Sequence, residues 1–176
     1  MLRNLFVLAL LATVACDGKP VQATLRNPTL VDSADQVLFN GKTTITANGV
    51  RRGEISGDTI ATFDQLTRFT IIKMQVQFVT PLGRPLARLT APVGRFSLRT
   101  GAITTQRGAS VVIESDTARR RMFATNVVYD ATKNQLSSDA AFIVNAGNRK
   151  STGTGFTADP GLFSIKCKSQ CQGSLP

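Results

Sequence analysis

Histidine and tryptophan are both missing from this chain of 176 residues, and tyrosine occurs once, as Tyr129. Without imidazole there is no Ser-His-Asp or Cys-His arrangement, and no ordinary general base poised near neutral pH. The commonest metal ligand is also gone, and three cysteines fall short of the usual four zinc ligands. Acidic residues number 11 against 21 Lys and Arg. They are scattered, with Asp58 and Asp64 six apart and Asp35 alone. Two carboxylates brought together by folding would be the remaining hydrolytic arrangement. Clefts of that kind are usually lined with Trp or Tyr, which are almost absent here. Gly153 and Gly155 form no phosphate-loop or dinucleotide fingerprint. The expectation is a protein that is not an enzyme and uses no cofactor and no metal.

Long apolar runs are missing too. The longest, 5–15, has 11 residues, whereas a membrane-spanning helix needs about 20. With Arg3 before it and Ala15 at its end, this run has the layout of a secretory signal. It closes on Thr13-Val14-Ala15-Cys16, which resembles a bacterial lipobox, with Thr13 where Leu is usual. The resemblance implies a signal peptide over 1–15, lipidation of Cys16 and a flexible tether over 16–29. Asp17 resembles the signal that keeps lipoproteins in the inner membrane. The expected location is therefore the periplasmic side of the inner membrane, lipid-anchored, with the outer membrane or soluble periplasm as alternatives. Once Cys16 is committed, Cys167 and Cys171 remain, and export to an oxidising compartment predicts a disulfide between them.

The formal charge of +10 favours anionic partners. Nucleic acid is not among them, because the aromatics that stack bases are not interleaved with the basic residues.

From residue 30 to 168 the chain alternates apolar and polar residues in short stretches, punctuated by Gly and by Asn40-Gly41 and Asn48-Gly49, both strong turn pairs. In 72–79, Ile72, Met74, Val76 and Phe78 share one face. In 94–99, Phe96 and Leu98 face inward. Val111 and Ile113 do so in 110–116, as do Phe142 and Val144 in 136–144. Over 54–63, Ile55, Ala61 and Phe63 lie on one side, with Ile60 opposite. The stretch 122–129 is apolar on both faces, so it is covered on both sides or bulged. No helix of ten residues or more is expected after the signal. The prediction is an all-β antiparallel domain over 30–168 with a short tail over 169–176. Its inner face suits either a thin packed core or a groove that accepts something apolar.

Four segments, in order, resemble the LptC/LptA (OstA-like) group of lipopolysaccharide-export proteins: PLGRPLARLTAPVGRF at 81–96, ARRRMFATNVVYD at 118–130, NQLSSDAAF at 134–142 and GTGFTADP at 153–160. In the second, Ala124 stands where Thr is usual. The resemblance covers roughly 35–165. It implies an open antiparallel β-jellyroll, a β-taco, whose groove holds the acyl chains of lipopolysaccharide. It also implies partners: inner-membrane ABC transporter permeases and a periplasmic LptA-like bridge protein met by edge-strand pairing. The groove candidates are then Ile55, Phe63, Ile72, Met74, Val76, Phe78, Leu89, Phe96, Leu98, Val111, Ile113, Phe142, Val144 and Phe156. Arg84, Arg88 and the three arginines at 119–121 are candidates for meeting lipid phosphates at the rim. The other reading is a structural or adhesive exported domain with a solid core and no lipid cargo.

Overall fold

The computed structural model describes residues 33–173; the expected signal peptide, Cys16 and the tether lie outside them. The described chain is all-β and antiparallel. Eleven strands form one sheet: β1 (Gln36–Ala47), β2 (Val50–Phe63), β3 (Arg68–Val79), β4 (Pro85–Ser97), β5 (Ala102–Thr105), β6 (Val111–Ser115), β7 (Arg120–Ala124), β8 (Val128–Asp130), β9 (Gln135–Ala146), β10 (Arg149–Ala158) and β11 (Ile165–Gln172). Among the described residues there is no helix.

Strand order nearly follows chain order. Long strands β1 to β4 make one half and β9 to β11 the other. Short strands join them in two parallel tracks. The end of β4 pairs with β5, β5 with β8, and β8 with the start of β9. The start of β4 pairs with β6, β6 with β7, and β7 with the end of β9. The outer edges of β1 and β11 carry no strand among the described residues.

This sheet is folded over. Phe78 on β3 and Tyr129 on β8 are three strand positions apart, roughly 14 Å along a flat sheet. Their ring centroids nevertheless lie 4.8 Å apart. The apolar faces therefore close on one another, and one cluster of buried side chains runs from Ile45 on β1 to Ile165 on β11.

Asn48-Gly49 forms the β1–β2 turn, with both residues at positive φ, the backbone that a two-residue hairpin requires. Asn40-Gly41 does not turn the chain. It lies inside β1, where Asn40 takes φ 49°. By register Asn40 faces Asp58 on β2, Asp58 faces Lys73 on β3 (also φ 49°), and Lys73 faces Pro92 on β4. These positions make a crease across the sheet. On β2, β3 and β4 the buried positions change parity there: Ile55 gives way to Ile60, Met74 to Ile71, and Ala91 to Gly94. Gly155 (φ 69°) marks the same change on β10. The doubly apolar stretch 122–129 breaks at the crease as well, into β7 and β8 around Asn126 at φ 54°.

At the C-terminal end, strand β11 runs to Gln172, so 169–172 of the expected tail lie in the sheet. Cys167 and Cys171 are joined within that strand, with Cα atoms 6.0 Å apart.

Candidate functional site

The inner face carries the candidate groove. Ile55, Val76, Leu89 and Ile113 stand opposite one another on β2, β3, β4 and β6, so a single cross-strand row builds its floor. Phe142 and Phe156 meet edge to face at 5.2 Å. Met74, Phe78, Phe96, Val111 and Val144 complete a stripe in which every member is buried. Sequence alternation placed nine of these eleven side chains on one surface, the family resemblance added Leu89 and Phe156, and the fold brings all of them together. It does so as a mutually packed interior.

Three candidates fall elsewhere. Ile72 is half-buried on the outer face, and Ile71 occupies the inward position, because the left-handed backbone at Lys73 shifts the phase. Leu98 lies just beyond β4 and is 56% exposed, since the strand ends at Ser97. Phe63, at the last position of β2, is half-buried beneath the Arg68 guanidinium, 5.1 Å from the ring centroid. Ile60, expected to face out, is buried with Ile71 opposite it.

At one end the inner face is left uncovered. Leu38 pairs with Ile60, so it points toward the core side, yet it is 54% exposed because β1 is an edge. A cleft of about 450 Å³ opens there, lined by Leu38, Thr43, Ile60, Thr62, Phe69 and Lys42. Period-two reading missed it, because Leu38 sits before the Asn40 crease and out of phase with Ile45.

Four polar residues of the family-like segments close turns or pin strands. Tyr129 is buried, and its hydroxyl donates to Asn134 Oδ1 at 2.9 Å. Burial pushes the phenol up to about 12, with the Arg52 charge partly offsetting and the Asp130 charge adding. Asp130 accepts hydrogen bonds from the backbone N–H of Lys133 and Thr132, which close the β8–β9 turn. Chiefly the Lys133 bond holds its carboxyl below the usual range. Ser138 donates to the Thr125 carbonyl at 2.7 Å and pins β9 beside the β7–β8 break. Asp159 Oδ1 accepts from Ser164 N–H in the β10–β11 turn.

The basic candidates divide. Arg84 and Arg88 are exposed. Arg120 donates to the carbonyls of Leu162 and Phe163 and fastens β7 to the β10–β11 turn. Arg121 pairs with Glu114 at 2.9 Å. Among the described residues no group of three or more His, Cys, Asp or Glu is placed to hold a metal, and no helix is long and apolar enough to cross a membrane. Set beside known proteins, the chain matches no family model and no curated protein.

Proposed function

We propose that the chain is a membrane-tethered periplasmic carrier that takes lipopolysaccharide acyl chains against the inner face of its folded sheet. It receives them from an inner-membrane ABC transporter and passes them to a bridge protein of like fold. The observation that carries this reading is the uncovered inner face beside β1, where Leu38, Ile60 and Phe69 line an open cleft. Each acyl methylene moved from water into such a place contributes about 0.8 kcal/mol. Lys42 at the rim, which shares its charge with Glu54 at 3.5 Å, supplies a cation for a lipid phosphate once that surface pair exchanges partners. The continuous apolar interior behind the cleft supports deeper entry if the two halves part. The described disulfide lies within β11 and does not hold them together. Among the described residues the outer edges of β1 and β11 carry no strand, and they offer N–H and C=O groups for hand-over by strand pairing.

A structural or adhesive domain is the competing reading, favoured by one observation: the central stripe is already fully packed without cargo. Photo-crosslinking in cells separates the two. A crosslinking residue at Leu38 or Phe69, positions with room for it, captures lipopolysaccharide under the carrier reading. At the exposed Gln75, on the outer face, it does not. Equal capture from both faces, or none from folded protein, leaves the structural reading. Mass spectrometry of the membrane-extracted chain tests the tether: a diacylglyceryl group on Cys16 is expected, and an unmodified chain beginning elsewhere refutes it.

A further inference from the structure

The crease does something on the outer face that the core does not require. By shifting the phase of β3 and β4 it turns Ile72 and Val93, which stand opposite each other, away from the interior. They form the apolar floor of a second cleft, of about 510 Å³, a size in the range of small-molecule sites. One wall is a cross-strand row. Thr70 on β3 faces Arg95 on β4, and Arg95 faces Thr104 on β5. By register Arg95 thus stands between two hydroxyl-bearing residues. Gln106 and Arg107, in the loop that leaves the sheet after β5, complete the lining. No carboxylate lines this cleft. Among the described residues neither Arg95 nor Arg107 has a salt-bridge partner or a side-chain hydrogen bond, whereas Lys73 and Arg121, also on the outer surface, are engaged by Asp58 and Glu114.

Thr105 and Arg107 also line a neighbouring cleft of about 460 Å³. Its other walls mix apolar Val127, Val128 and Ala140 with Asn126, Ser137, and Asp139 paired with Lys168. Arg107 therefore stands between a compartment that holds Arg95 and no carboxylate and one whose other charges, Asp139 and Lys168, are paired with each other.

We propose that this trough is a binding site for a phosphorylated saccharide, with the phosphate held by Arg95 and Arg107 and the sugar lying over Ile72 and Val93. Guanidinium groups suit phosphate through paired, charge-assisted hydrogen bonds. The hydroxyl and amide groups of Thr70, Thr104 and Gln106 suit the sugar's own hydroxyls. No aromatic ring lines either cleft, so stacking contributes nothing and the anion carries the affinity. The site lies on the opposite face from the lipid cleft and stands or falls independently of it.

Calorimetric titration of the full chain in nonionic detergent tests this, with glucose 6-phosphate, inorganic phosphate and glucose as separate probes. Glucose 6-phosphate is expected to bind one to one and more tightly than inorganic phosphate, with no heat from glucose. Arg95→Gln or Arg107→Gln should each weaken it about tenfold, the loss of roughly one charge-assisted pair. Arg149→Gln, in the β9–β10 hairpin, should leave it unchanged. The double variant should retain its melting temperature and its lipid crosslinking at Leu38, which separates this site from the carrier reading. Absence of binding, glucose binding as tightly as its phosphate, inorganic phosphate matching the sugar phosphate, or equal weakening by Arg149→Gln would each overturn the proposal.

Discussion

Tyr129 is the only phenol in a chain without tryptophan, so its near-ultraviolet absorbance reports one side chain in one place. Its ring is buried against Phe78, and its pKa is pushed up to about 12; in the unfolded chain the ordinary value is about 10. Below pH 10 the phenol is protonated in both states, and its contribution to stability is fully present. Above that pH the unfolded chain releases the proton while the folded chain keeps it. Stability therefore falls as pH rises toward 12, by about 2 kcal/mol from this group. Tyr129→Phe removes the titration and also the hydrogen bond to Asn134, which costs about 1 kcal/mol at neutral pH. The variant should thus be less stable than the parent at pH 7, and the order should reverse near pH 12. Denaturant melts across that range measure the crossing, and phenolate absorbance measures the ionisation directly. A native chain whose phenol titrates in the ordinary range near 10, or a variant whose deficit stays constant with pH, refutes the reasoning.

Other perturbations probe the crease and the register. A Cβ on Gly94 would overlap the thioether of the fully buried Met74, so Gly94→Ala should lower the unfolding free energy by about 1–3 kcal/mol in denaturant melts, and Met74→Val should recover part of that loss. Leu98→Ser should change stability by no more than about 0.5 kcal/mol, while Phe96→Ala, two residues earlier and buried, should cost about 3–5 kcal/mol. Similar costs at the two positions would restore the sequence-derived phase. Replacing Cys167 and Cys171 by Ser should cost at most about 2 kcal/mol, because the closed loop is short, and hydrogen exchange should speed up along β11 but not along β3.

The parts of the fold legible in the sequence are those where strict alternation survives. Met74, Val76 and Phe78 read correctly because nothing interrupts β3 after Lys73. Ile72 read wrongly because the interruption lies one residue later, at a lysine, a residue type that does not announce a left-handed backbone. The same event on β2 exchanged Ile60 for its neighbours. Its traces were nevertheless present: Pro92 inside a strand-like run, Gly155 inside another, and Asn40-Gly41 where a strand continued. Each is a residue that a regular central strand disfavours. Read together and aligned by register, they mark a fold line; read singly, Asn40-Gly41 looked like a turn. The clefts at Leu38 and at Arg95 were illegible for the same reason, since both depend on which side of that line a residue falls. The inward stripe was legible as a surface, but whether such a surface packs on itself is a matter of closure between distant strands, which periodicity does not contain.

The nearly sequential strand order bears on how the chain acquires its shape. Each of the long strands β1 to β4 and β9 to β11 zips against the strand just before or just after it, across turns as short as two residues. The entropic penalty of closing each hairpin is therefore small, and local pairing of this kind is associated with faster folding than the distant pairings of most sandwiches. The steps that wait are few: β5 must find β8, β6 must reach back to β4, and β7 must find β9. A chain emerging from its N-terminus can build β1 to β4 before β9 exists. The central short strands then act as the late clasp, and substitutions there should slow folding more than those in the β1–β2 hairpin.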